Sequence, residues 1–184
     1  MSRNHQSLLL AAALLATATL ASAQAPVLPS ANTVLGHAEA RAADDHKNIL
    51  LTFSASWCGP CKMFDRFLED PAIHPIMDKA FVMDRLDVGE HPGDTNHADS
   101  PGGEVLMAEL GGKNVGYPFI VMLDAPGKPI INSLRDGKAD GNVGYPALPV
   151  EVDWFMQMLQ KAAPSLTAQD RNIIHSWLTA HGHS

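Results

Sequence analysis

Ala55-Ser56-Trp57-Cys58-Gly59-Pro60-Cys61-Lys62 contains both cysteines of this 184-residue chain. Upstream, Asn48-Ile49-Leu50-Leu51-Thr52-Phe53 is an apolar run of strand length, and downstream Met63, Phe64, Phe67 and Leu68 recur at helical spacing. The cysteine pair therefore stands where a buried strand ends and a helix begins. A first helical turn offers unpaired backbone N–H groups and the positive end of the macrodipole, which favour a thiolate at Cys58 over the neutral thiol. Cys61, one turn on, is able to close a disulfide with Cys58. Gly59 permits close backbone approach, and Pro60 fixes φ where its missing N–H is not needed.

Two cysteines in this spacing have other uses. Half of a zinc site is one, but tetrahedral structural zinc takes four ligands and the chain has no second cysteine pair. A structural staple is another, yet so short a loop constrains the unfolded chain little. Motif, flanking Trp57 and the strand-to-helix setting agree on redox chemistry instead.

The N-terminus reads as a targeting segment. Arg3 and His5 precede an almost wholly apolar stretch from Leu8 to Leu20, and Ala21-Ser22-Ala23 closes it with small residues. This predicts a secretory signal peptide over residues 1–23. Its apolar core is shorter than the ~20 residues that span a bilayer. Residues 24–184 then form a single domain, periplasmic or secreted, with no membrane insertion after cleavage. Loss of Arg3 takes the formal net charge from −7 to −8, which argues against nucleic acid and anionic membrane as partners. One cysteine pair in a reactive motif also points away from a disulfide scaffold and toward the thiols and disulfides of other proteins.

The rest of the chain reads in order. Ser30 to His46 carries Val34, Leu35, Ala38 and Ala42 at helical spacing, with Ser30 or Asn32 as N-cap. Asp70-Pro71 stops the motif helix, Pro71 to Lys79 makes a short helix or turn, and Phe81 to Val88 is a second strand. Gly89 to Gly103, rich in Gly, Pro, Asp and His, is a long surface loop. Glu104 to Leu110 is a short helix closed by Gly111-Gly112. Phe119-Ile120-Val121-Met122-Leu123 and Pro129 to Leu134 flank the turn Asp124 to Lys128 as a β-hairpin. Helices follow over Val150 to Lys161, with Val152, Phe155, Met156 and Leu159 on one face, and over Ala168 to Ala180, with Ile173, Ile174 and Trp177. Asn114-Val115-Gly116-Tyr117-Pro118 is echoed by Asn142-Val143-Gly144-Tyr145-Pro146, a single repetition too short to define a repeat architecture. The alternation of helix and strand places the chain in the α/β class.

On Trp57-Cys58-Gly59-Pro60-Cys61-Lys62, the run Phe81 to Val88, and Gly116-Tyr117-Pro118-Phe119 before a strand, turn and strand, the chain resembles the thioredoxin superfamily. Within it the chain is similar to the exported, thioredoxin-like thiol:disulfide oxidoreductases. The resemblance covers about residues 49–134 and the Val150 helix. It implies a thioredoxin-like fold: a central mixed β-sheet flanked by helices, here with an inserted loop and an extra C-terminal helix. The domain core spans about 48–161 and the helical extension 165–184. Cys58 is implied as nucleophile, Cys61 as resolving cysteine, and Trp57, Gly59 and Pro60 as support. Pro118 is implied as a cis proline facing the cysteines, with the Tyr117 backbone free to pair with an extended substrate segment. No cofactor is implied beyond the redox-active pair, and no metal; a reductase of this kind takes its electrons from a partner, expected to be a membrane protein.

Thr52 departs from the pattern, because cytoplasmic thioredoxins bury an acidic residue at the matching position. Threonine is no general base at neutral pH, so resolution of the mixed disulfide by Cys61 is expected to be slow. Gly59-Pro60 between the cysteines resembles the reducing end of the family, near about −270 mV, rather than the oxidising end near about −120 mV. Two other classes stand beside the enzyme. A copper or zinc metallochaperone would use the cysteine pair with His91, Asp94, His97 and Asp99 of the loop, or His181 and His183 at the end. A noncatalytic interaction module would use the fold only to dock, which intact Cys58 and Cys61 argue against.

Overall fold

The computed structural model describes residues 28–182, so the expected signal peptide and His183 lie outside the described residues. Helix α1 (Ala31–Asp45) is capped by Ser30, whose Oγ accepts the Thr33 N–H at 3.2 Å, and ends at His46 in the left-handed region. Strand β1 (Asn48–Ser54) leads into α2 (Gly59–Glu69), the short α3 (His74–Asp78) and β2 (Phe81–Asp87). After the long loop come α4 (Gly103–Met107), β3 (Phe119–Leu123), β4 (Pro129–Asn132), α5 (Pro149–Ala162) and α6 (Ala168–His181). The order agrees with the sequence reading. One difference lies after α4, which stops at Met107 and continues as a wide turn over Ala108–Gly112, with Gly111 at φ 98°.

The four strands form one mixed sheet in the order β2-β1-β3-β4. β1 pairs parallel with β2 from Asn48↔Phe81 to Ser54↔Asp87, and antiparallel with β3; β4 closes the edge antiparallel to β3. A central strand covered on both faces has no solvated side. This is why the β1 run is continuously apolar rather than alternating. Leu50 faces a cluster containing Phe64, Phe67, Phe155, Leu159 and Ile174, whereas Ile49, Leu51 and Phe53 face one containing Ala38, Ala42, Leu106 and Phe119.

The C-terminal helices correct two facial assignments. On α5 the buried stripe is Val152, Phe155, Met158 and Leu159, with Met156 only partly covered. On α6 Ile174 and Leu178 are buried and Trp177 packs against them, while Ile173 is exposed. Most of each expected stripe is kept, with Met158 in place of Met156 on α5 and Leu178 in place of Ile173 on α6.

Helix α6 is anchored by a capping box. Thr167 Oγ1 accepts the Asp170 N–H at 3.1 Å, and Asp170 Oδ2 accepts from Thr167 N at 2.9 Å and Thr167 Oγ1 at 2.7 Å. Lys79 Nζ donates to Asp170 Oδ1 at 2.8 Å, and this bond, followed by those from Thr167, holds the carboxyl down to about 2. Because the folded value lies below the unfolded one of about 3.9, the stabilisation is present in full above the unfolded pKa and is lost as pH falls through about 2. Thermal melts across the acid range are expected to show the advantage of the wild type over Asp170→Asn shrinking in that window. A constant advantage at every pH would refute the linkage.

Candidate active site

Helix α2 begins at Gly59 with Cys58 as its N-cap, and Cys58 Sγ accepts the Cys61 N–H at 3.1 Å. The sulfur at position 58 thus already receives an N–H of the first turn, where the helix favours negative charge. Cys58 and Cys61 are joined as a disulfide with their Cα atoms 5.3 Å apart. That Cα separation lies within the ordinary span of a disulfide. Both cysteines are nearly covered, Cys58 at 3% and Cys61 at 1% exposure, whereas Trp57 stands 47% exposed beside them. Pro60 occupies the first turn of α2, and nothing crowds the Gly59 α-carbon.

The structure brings the second group of expected residues to the same place. The Tyr117-Pro118 peptide bond is cis, and Tyr117 packs against Ala55, Cys58 and Cys61. Burial pushes the Tyr117 hydroxyl above its ordinary range, and the charges of Glu104 and Asp99 add to the effect. The phenol is therefore a neutral O–H at physiological pH. Trp57 lies edge-on to Tyr117 with ring centroids 6.1 Å apart.

The echoed pentapeptide has a structural meaning that its sequence alone did not disclose. Asn142 Nδ2 donates to the carbonyls of Gly116 at 2.8 Å and Pro118 at 3.1 Å, so the second copy holds the first. Ser133 Oγ donates to Asn142 Oδ1 at 2.6 Å and accepts the Ile120 N–H at 3.0 Å, which ties the pair to β3. Tyr145, unlike Tyr117, turns into the core.

Glu90 is the site neighbour that sequence reasoning missed. Its carboxylate accepts from Ser56 N–H and Ser56 Oγ, each at 2.6 Å. The signal lay in the strand register: Ser54 pairs with Asp87, so the parallel chains carry Ser56 and Trp57 alongside Gly89 and Glu90. Reading that required knowing that β1 and β2 are parallel neighbours.

Thr52 is 3% exposed and points to the same side of β1 as Leu50, the side covered by α2. Among the described residues neither Thr52 Oγ1 nor Ser54 Oγ has a hydrogen-bond partner. The loop histidines are dispersed. His97 Nδ1 meets Asp94 Oδ2 at 3.0 Å, with the Glu90 carboxylate near enough that the three groups lie within 4.8 Å. His91 instead stacks on Trp57, and Asp99 accepts the Glu90 N–H at 2.8 Å. With the cysteines bonded to each other, neither sulfur is available to a metal in this state.

Thioredoxin H2 of Arabidopsis thaliana is 45% identical over 51 residues, 27% of this chain and 35% of that protein. The match thus spans about a third of the length of that curated relative. Solved structures of similar shape include a disulphide isomerase from Xylella fastidiosa Temecula1, at 21% identity and a TM-score of 0.47 over 85% of this chain and 98% of that one. A DsbH oxidoreductase is similar at 23% identity and a TM-score of 0.47, over 82% of this chain and 95% of its own. Residues 32–125 match the family described as thioredoxin-like. That stretch is just over half of the chain and contains the cysteine pair, the cis proline and the first three strands, so the chain belongs to the thioredoxin-like family.

Proposed function

We propose that the chain is an exported thiol:disulfide oxidoreductase that reduces, or exchanges, disulfides of other proteins. The observation that carries this reading is the Cys58–Cys61 disulfide at the head of α2, with Cys58 Sγ accepting the Cys61 N–H. Starting from the dithiol, the Cys58 thiolate attacks one sulfur of a substrate disulfide. A Cys58–substrate bond forms as the substrate S–S bond breaks, and the other substrate sulfur leaves as a thiolate. Cys61 then loses its proton and attacks Cys58 Sγ, closing the intramolecular disulfide and releasing the second substrate thiol. Two electrons pass from the cysteine pair to the substrate, and an external dithiol, supplied in the cell by a membrane electron donor, must return them. In reverse, the same steps oxidise a substrate dithiol.

Trp57, Gly59 and Pro60 support the nucleophile, and the Tyr117 backbone beside Pro118 pairs with the extended substrate. Export rests on the signal peptide read over residues 1–23. Among the described residues no helix is long and apolar enough to cross a membrane. The buried carboxylate of cytoplasmic thioredoxins is replaced by Thr52, so the Cys61 proton leaves by another route and resolution is slow.

The test is reduction of insulin by the full chain with dithiothreitol as electron donor, with the potential of the cysteine couple read in glutathione buffers. Catalysed reduction, with a potential nearer about −270 mV than −120 mV, is the expected result. If insulin is not reduced and copper or zinc binds the reduced chain tightly in a manner lost with Cys58 and with His91 and His97, the protein is a metal carrier instead.

A further inference from the structure

The loop after β2 grips the cysteine motif at three points. Glu90 holds Ser56 with both carboxylate oxygens, at 2.6 Å each. The Trp57 Nε1–H donates to the Gly89 carbonyl at 3.0 Å, and the Trp57 ring lies over His91 with centroids 5.1 Å apart and planes 20° from parallel. The Tyr117 ring fills the space beside Gly89, whose φ of 72° suits glycine and whose missing side chain leaves that room. The loop is held from behind as well. Asp99 accepts the Glu90 N–H at 2.8 Å, Ser100 N–H donates to Asp87 O at 2.7 Å, and Asp87 N–H donates to Ser100 Oγ at 3.2 Å.

We propose that Glu90 is a positioning residue: its two bonds to Ser56 seat Trp57, His91 and Tyr117 as a fixed wall beside Cys58. That wall takes up an extended segment of a protein substrate through an apolar side chain next to its cystine. The inference rests on the function proposed above. Charge-assisted bonds of this length are stronger than neutral ones. Partial burial works against the Glu90 charge, but the hydrogen bonds from Ser56 Oγ and N–H outweigh it and hold the carboxyl below its usual range. The clasp is therefore ionised at neutral pH. A wall ordered before the substrate arrives spares the entropy of ordering it on binding. A small disulfide has no segment to lay against the wall and gains nothing from it.

The readout is a ratio, kcat/KM for insulin divided by the rate constant for 2-hydroxyethyl disulfide, measured on the full chain. Glu90→Ala is expected to lower the ratio by about tenfold, chiefly through KM for insulin, with the small-disulfide rate kept within about twofold. Glu90→Gln retains an acceptor for the Ser56 N–H and is expected to stay within about threefold of the wild type. A ratio unchanged in Glu90→Ala, or one that falls further in Glu90→Gln than in Glu90→Ala, overturns the assignment. Equal losses for both substrates also overturn it, because they place the effect on the cysteines themselves. Should Glu90→Ala not fold, Ser56→Ala removes one arm of the clasp and must lower the ratio in the same direction. A wild type that reduces neither disulfide sinks the proposed function itself, whereas an active wild type with an unmoved ratio sinks only the role of Glu90.

Discussion

Replacing Cys58 by serine is expected to abolish insulin reduction, a loss on the order of 10³-fold or more, because a hydroxyl at that position neither ionises near neutral pH nor attacks sulfur. The N–H of Cys61 that meets Cys58 Sγ would still be offered, but to a group carrying no charge. Cys61→Ser is expected to behave differently. Its first step survives, so the variant should accumulate as a covalent adduct with substrate, visible as a mass shift that dithiothreitol reverses. The pair of variants separates the two roles: loss without adduct at 58, adduct without turnover at 61. An adduct through Cys61 in the Cys58 variant would reverse the assignment, and full activity in either would exclude the cycle.

Local chemistry in the sequence carried much of the fold. The cysteine motif is legible because chain direction, helix onset and sulfur chemistry coincide within eight residues, and the structure has Cys58 capping α2. The hairpin of β3 and β4 is legible for a similar reason: Asp124 closes the turn locally, with Gly127 N–H on Asp124 O at 2.9 Å and Lys128 N–H on Asp124 Oδ1 at 2.7 Å. Where the reading fell short, the deciding contacts were distant in sequence. Ser56 and Glu90 are 34 residues apart, and Asn142 is 24 from Pro118. No periodicity spans such gaps; only the pairing of strands brings them together. On α5 and α6 one edge of the face differs, at Met156 and Ile173, because a hydrophobic stripe is wide and which edge of it is covered depends on the neighbouring helix. The polarity of Gly89 to Gly103 marks a surface loop, and its first residues are also fastened to the cysteine motif, since polar side chains serve partners in the protein as well as water.

Phe155→Ala is expected to cost about 3–5 kcal/mol, the usual range for removing a fully buried phenylalanine. Phe155 is 0% exposed and sets its ring edge-to-face against Phe64 at 6.0 Å and Phe67 at 5.7 Å. Both partners stand on α2, the helix whose first turn holds the cysteines, so the same three rings that close the core also hold the active-site helix on the sheet. Such aromatic pairs add about 0.5–1.5 kcal/mol beyond the area they bury, which places the expected loss toward the upper part of the range. Against a total stability of about 5–15 kcal/mol the change is a large fraction, and the midpoint of thermal unfolding should fall by about 2–4 °C for each kcal/mol lost. Denaturant titration of the oxidised chain checks the magnitude. A loss below about 1 kcal/mol would mean that the neighbouring side chains close over the cavity, and α2 would then owe its position to the sheet and not to α5. With the expected loss, the folded fraction should still reduce insulin, because the bond between Cys61 N–H and Cys58 Sγ lies within α2 and its cap and does not pass through Phe155.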